Sequence, residues 1–469
     1  MRGKPPAGNV VLNPNTPMPT AEQLVDDCFR HDDDSRVLHH WRDEWFLWNG
    51  SFYDKLSEAA LRARVWHYLD EAHTDKGKFK PQPRHVSAVI DALAAVCHLD
   101  DAVEAPAWIE REYAIAADAA DLLPVGGGLL DMTLRELHPP TPNFFSLTGT
   151  DVIFDPDAQR ERWDSFMCAL WDNDRQSIET LAEWCGYCLG RDTSQHKILM
   201  LVGPTRGGKG IIARLLRQLV GVSAYAGFSL SDFGRPFGLQ VLIGKLVAVV
   251  SDARLDTSDK VMMIAERLLS LSGEDCVSID RKFTSVWTAP LGVRFTVITN
   301  ELPKLRDPSG ALAGRFIILR LVKSWAGKED RQLEKALSAE LSGILNFALD
   351  GRERLRKRGH FIQPSSASGM FKEFADTVSP LKTYVAEECW IDGVAWVDTM
   401  TLFDDWKTWC EPRGHNPGDA ATFGKALRAA APEIERTQYR SKPHDGARRW
   451  RYDGIGLLRK TTDEASPDE

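Results

Sequence analysis

Residues 203–210 read Gly-Pro-Thr-Arg-Gly-Gly-Lys-Gly, directly behind the apolar run Ile198-Leu199-Met200-Leu201-Val202 and ahead of a helix-patterned stretch. A strand that enters a glycine-rich turn and leaves it as a helix makes a cradle for phosphate. Glycines let successive backbone N–H groups turn inward, the helix N-terminus adds its positive dipole end, and a lysine reaches the β- and γ-phosphates. Gly203, Pro204, Thr205, Arg206, Gly207, Gly208, Lys209 and Gly210 are therefore the expected nucleotide contacts. Past the loop, Ile211, Leu215 and Leu219 share one helical face. Gly210 departs from the usual pattern, in which a Ser or Thr hydroxyl ligates Mg²⁺, so the metal needs other oxygens.

Three further runs, Leu246–Val250, Phe295–Thr299 and Phe316–Leu319, are almost continuously apolar or β-branched, as parallel strands covered on both faces must be. They predict an α/β core from about 196 to 322. The first run leads to Ser251-Asp252, which makes Asp252 the expected Mg²⁺-holding acid. Ala253 and Arg254 follow, where a second acid often stands. The catalytic base thus stays open between Asp252 acting through water and a more distant acid such as Glu301. The second run ends at Asn300, whose amide can reach the γ-phosphate or the attacking water. Arg315 opens the third run and suits an arginine finger. Between these strands, Val277 and Ile279 alternate to one side while Asp280, Arg281 and Lys282 cluster at a turn. Cations at a hairpin tip can grip DNA phosphates without reading sequence.

Taken together, GPTRGGKG, VVSDARL, SGEDCVSIDRKF with ITNELP, and ALAGRFIILRL resemble the superfamily 3 helicase module of phage and plasmid primase-helicases. The resemblance extends upstream, where Trp41–Tyr53 and Leu122–Leu147 are similar to the amino-terminal domain that accompanies this helicase in virus- and phage-type proteins. It implies a P-loop AAA+ ATPase that assembles as a ring, hexameric in expectation, and moves 3′-to-5′ on single-stranded DNA with ATP and Mg²⁺. By that resemblance Lys209 binds phosphate, Asp252 is the Walker B acid, Asn300 is sensor 1 and Arg315 acts across the subunit interface. The segment 277–287, with Arg281 and Lys282, becomes the DNA-tracking hairpin. A glycine after the loop lysine also occurs in working enzymes such as adenylate kinases. No room precedes the amino-terminal domain for a polymerase-like primase, so primer synthesis is expected from a separate partner.

At 469 residues the chain exceeds one ordinary core. The expected division is an arm at 1–20, an α+β domain at 21–150, a helical collar at 151–195, the ATPase at 196–325, a helical subdomain and linker at 326–376, a winged-helix-like domain at 377–457, and a tail at 458–469. The arm and tail are expected to be disordered. An Asn49-Gly50 turn between aromatic runs predicts a hairpin, helices are expected over 58–72 and 85–96, and Gly126–Gly128 predicts a second turn. Residues 163–189 read as one amphipathic helical region, and 364–369 as a Ser-rich link. The net charge of −9 argues against indiscriminate coating of nucleic acid. Seven Lys/Arg between Arg428 and Arg451 supply a local footprint, with Arg428, Arg440, Lys442, Arg448 and Arg449 the expected phosphate contacts.

Eight scattered cysteines and no long apolar run fit a reduced, cytoplasmic protein with no membrane association. Cys185 and Cys188 imitate a redox pair, but within a helical run they read as core, and His31-Asp32-Asp33-Asp34 reads as a solvated turn. Two rival functions remain: an origin-binding or helicase-loading ATPase that does not unwind, and a small-molecule kinase. The kinase accounts for neither the hairpin nor the basic last domain.

Overall fold

A computed structural model describes residues 16–74, 77–251, 261–282, 286–440 and 448–458 of this mixed α/β chain. Its centre is a five-stranded sheet, parallel throughout, in the order Tyr225–Phe228, Val247–Ser251, Arg294–Thr299, Ile198–Val202, Phe316–Arg320. Strand periodicity divides the core in two. Leu199, Leu201, Val247, Val249, Ile317 and Leu319 join the core on one face, while Met200, Val202, Val250, Phe295, Val297 and Ile318 join the other. Burial on both faces is why these strands show no polar alternation. The edge strand Tyr225–Phe228 escaped sequence reading because it is short and carries Gly227.

Helices Glu161–Trp171, Arg175–Leu189, Lys209–Val220 and Leu341–Arg358 supply the first face. The expected single amphipathic run over 163–189 is corrected twice. Asp172 and Asn173 adopt left-handed φ of 49° and 66° and break the helix, and Asp174 then caps Gln176 and Ser177. Beyond Thr180 the second helix is buried on every side, because it lies between the sheet and Leu341–Arg358. Trp184 Nε1 donates to Thr296 Oγ1 of the sheet at 3.0 Å. Where the two helices cross, Gly186 and Gly351 allow backbone contact. A Cβ on Gly186 would stand 2.2 Å from the Ala348 carbonyl oxygen, and one on Gly351 2.1 Å from that of Ala182.

The arginines of Leu341–Arg358 turn inward onto acids. Arg352 and Arg356 pair with Asp121, and Arg354 and Arg358 pair with Glu183, whose side chain is 2% exposed. On the second face, helix Ser368–Val378 seats Phe374 against Phe316 at 4.9 Å. The link expected at 364–369 is thus corrected: a short turn at Ser365–Ala367 leads straight into a packed helix.

Ahead of the sheet, helix Pro17–Cys28 begins inside the stretch expected to be disordered and buries Ala21, Leu24 and Val25. Pro17 at its first position is favourable, since the missing N–H would have no partner there. Three antiparallel strands follow, Leu38–Trp41, Glu44–Trp48 and Tyr53–Leu56. The first went unread because Arg42 and Asp43 turn with φ of 51° and 61°, without the usual glycine. Helices Glu58–Glu71 and Pro83–Val96 and the paired strands Leu122–Val125 and Gly128–Asp131 match the pattern read from sequence.

At the other end, helix Pro380–Glu388, strand Cys389–Asp398, helices Thr399–Cys410 and Ala420–Ala430, and strands Glu435–Arg440 and Arg448–Leu457 enclose a core of Leu402, Trp406, Phe423, Leu427 and Ile455. The first strand spans ten residues. Among the described residues no helix is long and apolar enough to cross a membrane, and no group of three His, Cys, Asp or Glu is placed to hold a metal. Cys185 and Cys188 are buried free thiols, and burial pushes Cys188 up to about 12.

Candidate functional site

The glycine-rich loop leaves the sheet at the carboxyl end of Ile198–Val202, between Arg294–Thr299 and Phe316–Arg320. Its path requires its glycines. A Cβ on Gly203 would lie 2.5 Å from the Leu321 carbonyl oxygen, and Gly208 has φ +89° with Leu170 Cδ2 only 2.8 Å from the site of a Cβ. Arg206 also takes a left-handed φ of 60°. From behind, Ser324 Oγ donates to the Thr205 carbonyl at 2.8 Å, the Trp325 N–H to that of Arg206 at 3.1 Å, and Arg206 Nε meets Glu329 at 3.5 Å. Spacing alone gave no sign of this backing segment.

Lys209 starts the helix and is 7% exposed. Its ammonium donates to the carbonyls of Gly203 at 2.5 Å and Pro204 at 2.7 Å, and to Asn300 Oδ1 at 3.1 Å. The structure therefore brings Lys209 and Asn300 together across adjacent strands. All three acceptors are neutral, so dipoles solvate the cation without cancelling its charge. Burial lowers the Lys209 pKa, and an incoming anion would restore it. A narrow cradle that side chains would block, with an ammonium that has no carboxylate partner among the described residues, fits a polyphosphate. Gly210 contributes no side-chain oxygen, although a Cβ there would meet only the flexible Arg214 guanidinium at 3.1 Å. Asp252, the expected metal ligand, lies outside the described residues. The strand leading to it ends at Ser251, level with Ile298.

Arg315 stands apart. It closes the short helix Ala311–Arg315 just before Phe316, which pairs with Ile198 at the amino end of the sheet. The five-residue strand Ile198–Val202 puts about 13 Å between that end and the loop. Lys197, depressed in pKa by burial and then by Arg315, is its cationic neighbour.

The expected hairpin pairs Cys276–Ile279 with Trp287–Pro290. Arg281 Nη1 approaches Glu44 Oε1 at 3.8 Å, and the Lys282 N–H donates to Gln240 Oε1 at 3.2 Å. In the last sheet Arg440 lies directly opposite Arg448, and Arg449 opposite Tyr439 on the reverse face. Arg428 projects from Ala420–Ala430, and Lys442 lies outside the described residues. The expected phosphate contacts are thus spread over two faces of the sheet and a helix. Sequence reading missed Lys425, Arg436 and Tyr452, which join Arg428 in lining one cleft.

Residues 201–315 match the model of DUF5906, a family of unknown function. An A-form apo structure of the NrS-1 C-terminal region aligns with 94% of this chain and 100% of its own at 12% identity and TM-score 0.50. The apo structure of NrS-1 residues 305–718 aligns with 94% and 99% at 12% identity and TM-score 0.52. At that identity the likeness concerns architecture, and the chain shares its fold with the C-terminal region of NrS-1.

Proposed function

We propose that this chain is an ATP-dependent, ring-forming DNA helicase, built on an AAA+ superfamily 3 core with a winged-helix-like last domain, that serves replication of a phage, plasmid or integrated element. The observation that carries the reading is the Lys209 ammonium, held by neutral oxygens between the loop and Asn300 at the carboxyl ends of adjacent strands. Such a cation exchanges carbonyl contacts for phosphate oxygens with a large electrostatic gain. Asn300 would then orient the γ-phosphate or the attacking water. Asp252 would hold Mg²⁺, which when bound neutralises phosphate charge in the transition state. Arg315, far from its own loop, would complete the site of an adjacent subunit. Arg440 opposite Arg448 is a repulsive pair in the free protein, and a polyanion relieves it.

ATP turnover measured with and without single-stranded DNA tests the proposal. DNA should stimulate hydrolysis, and Lys209→Ala should reduce it by about 10²-fold or more. Equal turnover in the parent and Lys209→Ala would reject the site. Turnover without unwinding of a forked duplex would favour the origin-binding or loading ATPase instead.

A further inference from the structure

Where the last two strands meet helix Ala420–Ala430, a half-open cleft of about 420 Å³ is lined by Thr399, Met400, Ala420, Ala421, Gly424, Lys425, Arg428, Arg436 and Tyr452. Three of these side chains are cations and none is a carboxylate. Lys425, Arg428 and Arg436 make no ion pair among the described residues; Arg428 Nε instead donates to the Gly424 carbonyl at 3.2 Å, and Arg436 lies over Trp450 at 4.4 Å. Thr399 and Ala420 are the first residues of their helices, so two positive helix ends face the same space. The capping acids Asp398 and Asp419 are already engaged with helix N–H groups.

Tyr452 gives the independent sign of a ligand. The residue is 3% exposed, yet its hydroxyl has no hydrogen-bond partner among the described residues. It rests over Gly424, where a Cβ would stand 2.6 Å from the oxygen, so the glycine makes room for the phenol at the cleft floor. Burial raises its pKa, against the opposing pull of Arg436 and Arg428, and it remains a proton donor at neutral pH. The oxygen opens onto the cleft, where a ligand oxygen can replace water as its acceptor.

We infer that this cleft is a phosphate-binding site, with Lys425, Arg428 and Arg436 balancing the charge and the Tyr452 hydroxyl donating to a phosphate oxygen. The volume exceeds a lone phosphate and admits an attached sugar. Two sources share this chemistry: the backbone of DNA, and a free phosphate or mononucleotide. The site does not depend on ATP turnover, so it stands or falls separately from the motor.

The test uses the full chain without ATP. Binding of a fluorescent 16-nucleotide single strand is followed by anisotropy across a salt series, and binding of inorganic phosphate by calorimetry, for the parent, Arg428→Gln/Arg436→Gln and Tyr452→Phe. For a DNA backbone, the double variant should weaken oligonucleotide binding about tenfold or more and lower the salt slope by about 1.4, two phosphate contacts fewer. Tyr452→Phe should weaken it severalfold with the slope unchanged. For a free phosphate, both variants should abolish the phosphate heat and leave the oligonucleotide curve unchanged. Parent-like behaviour of Tyr452→Phe in both assays overturns the site, and this isosteric change keeps the test valid if the double variant fails to fold.

Discussion

Arg315→Ala should retain ATP binding to within a few-fold while losing about 10³-fold or more in hydrolysis. The asymmetry follows from the sheet. Lys209 sits where strands end and Arg315 where they begin, at opposite limits of parallel strands paired from Ile198–Phe316 to Val202–Arg320. A guanidinium at that distance contributes nothing to ground-state binding in its own subunit. It can stabilise transferring charge only in another copy, provided assembly brings the two edges together. Mixing provides the sharper measurement. Arg315→Ala and Lys209→Ala, each inactive alone, should recover turnover when combined, because some interfaces then join an intact loop to an intact arginine. Undiminished hydrolysis by Arg315→Ala, or mixtures with no recovery, would remove the assignment.

The second large effect is on stability. Gly351→Ala and Gly186→Ala should each cost about 3 kcal/mol. The added carbon in Gly351→Ala would meet the Ala182 carbonyl group at 2.1 Å and the Glu183 nitrogen at 2.4 Å, and in Gly186→Ala the Ala348 carbonyl oxygen at 2.2 Å. These obstacles are main-chain atoms in helices, so relief requires separating the two elements along their contact. Thermal melts of both variants should fall by about 10 °C, with Gly210→Ala as control. That glycine is also helical, but its new carbon meets only a flexible guanidinium, so alanine there should be neutral or stabilising by up to about 1 kcal/mol. A Gly351→Ala protein that melts with the parent would show that the crossing is looser than described.

Readability from sequence tracked the range of the interactions. Ile198–Val202 and its loop were legible because strand, turn and helix are consecutive, and Arg294–Thr299 because two-sided burial leaves an unbroken apolar run. The Lys209–Asn300 contact joins residues far apart in the chain. It became readable only through the assumption that neighbouring parallel strands share a carboxyl end. Arg42-Asp43 and Asp172-Asn173 were missed because polar residues adopted left-handed turns usually made by glycine. The cleft around Tyr452 had no local signature, since its cations come from a helix and a strand and its floor from another strand. The arginines at 352, 354, 356 and 358 carry no local sign of their partners either, because Asp121 and Glu183 lie far back in the chain.

That pairing bears on modularity. Glu183 belongs to the helix seated on the central sheet, yet its counter-charges arrive from Arg354 and Arg358, more than a hundred and fifty residues later. A fragment trimmed at the last strand of the sheet would keep the whole glycine-rich loop and strand a carboxylate in an apolar interior, with Trp184 and Phe316 stripped of cover. Arg352 and Arg356 draw their counter-charge from Asp121, so the smallest autonomous piece must run from Asp121 through Val378, a boundary set by charge neutrality and not by the motifs.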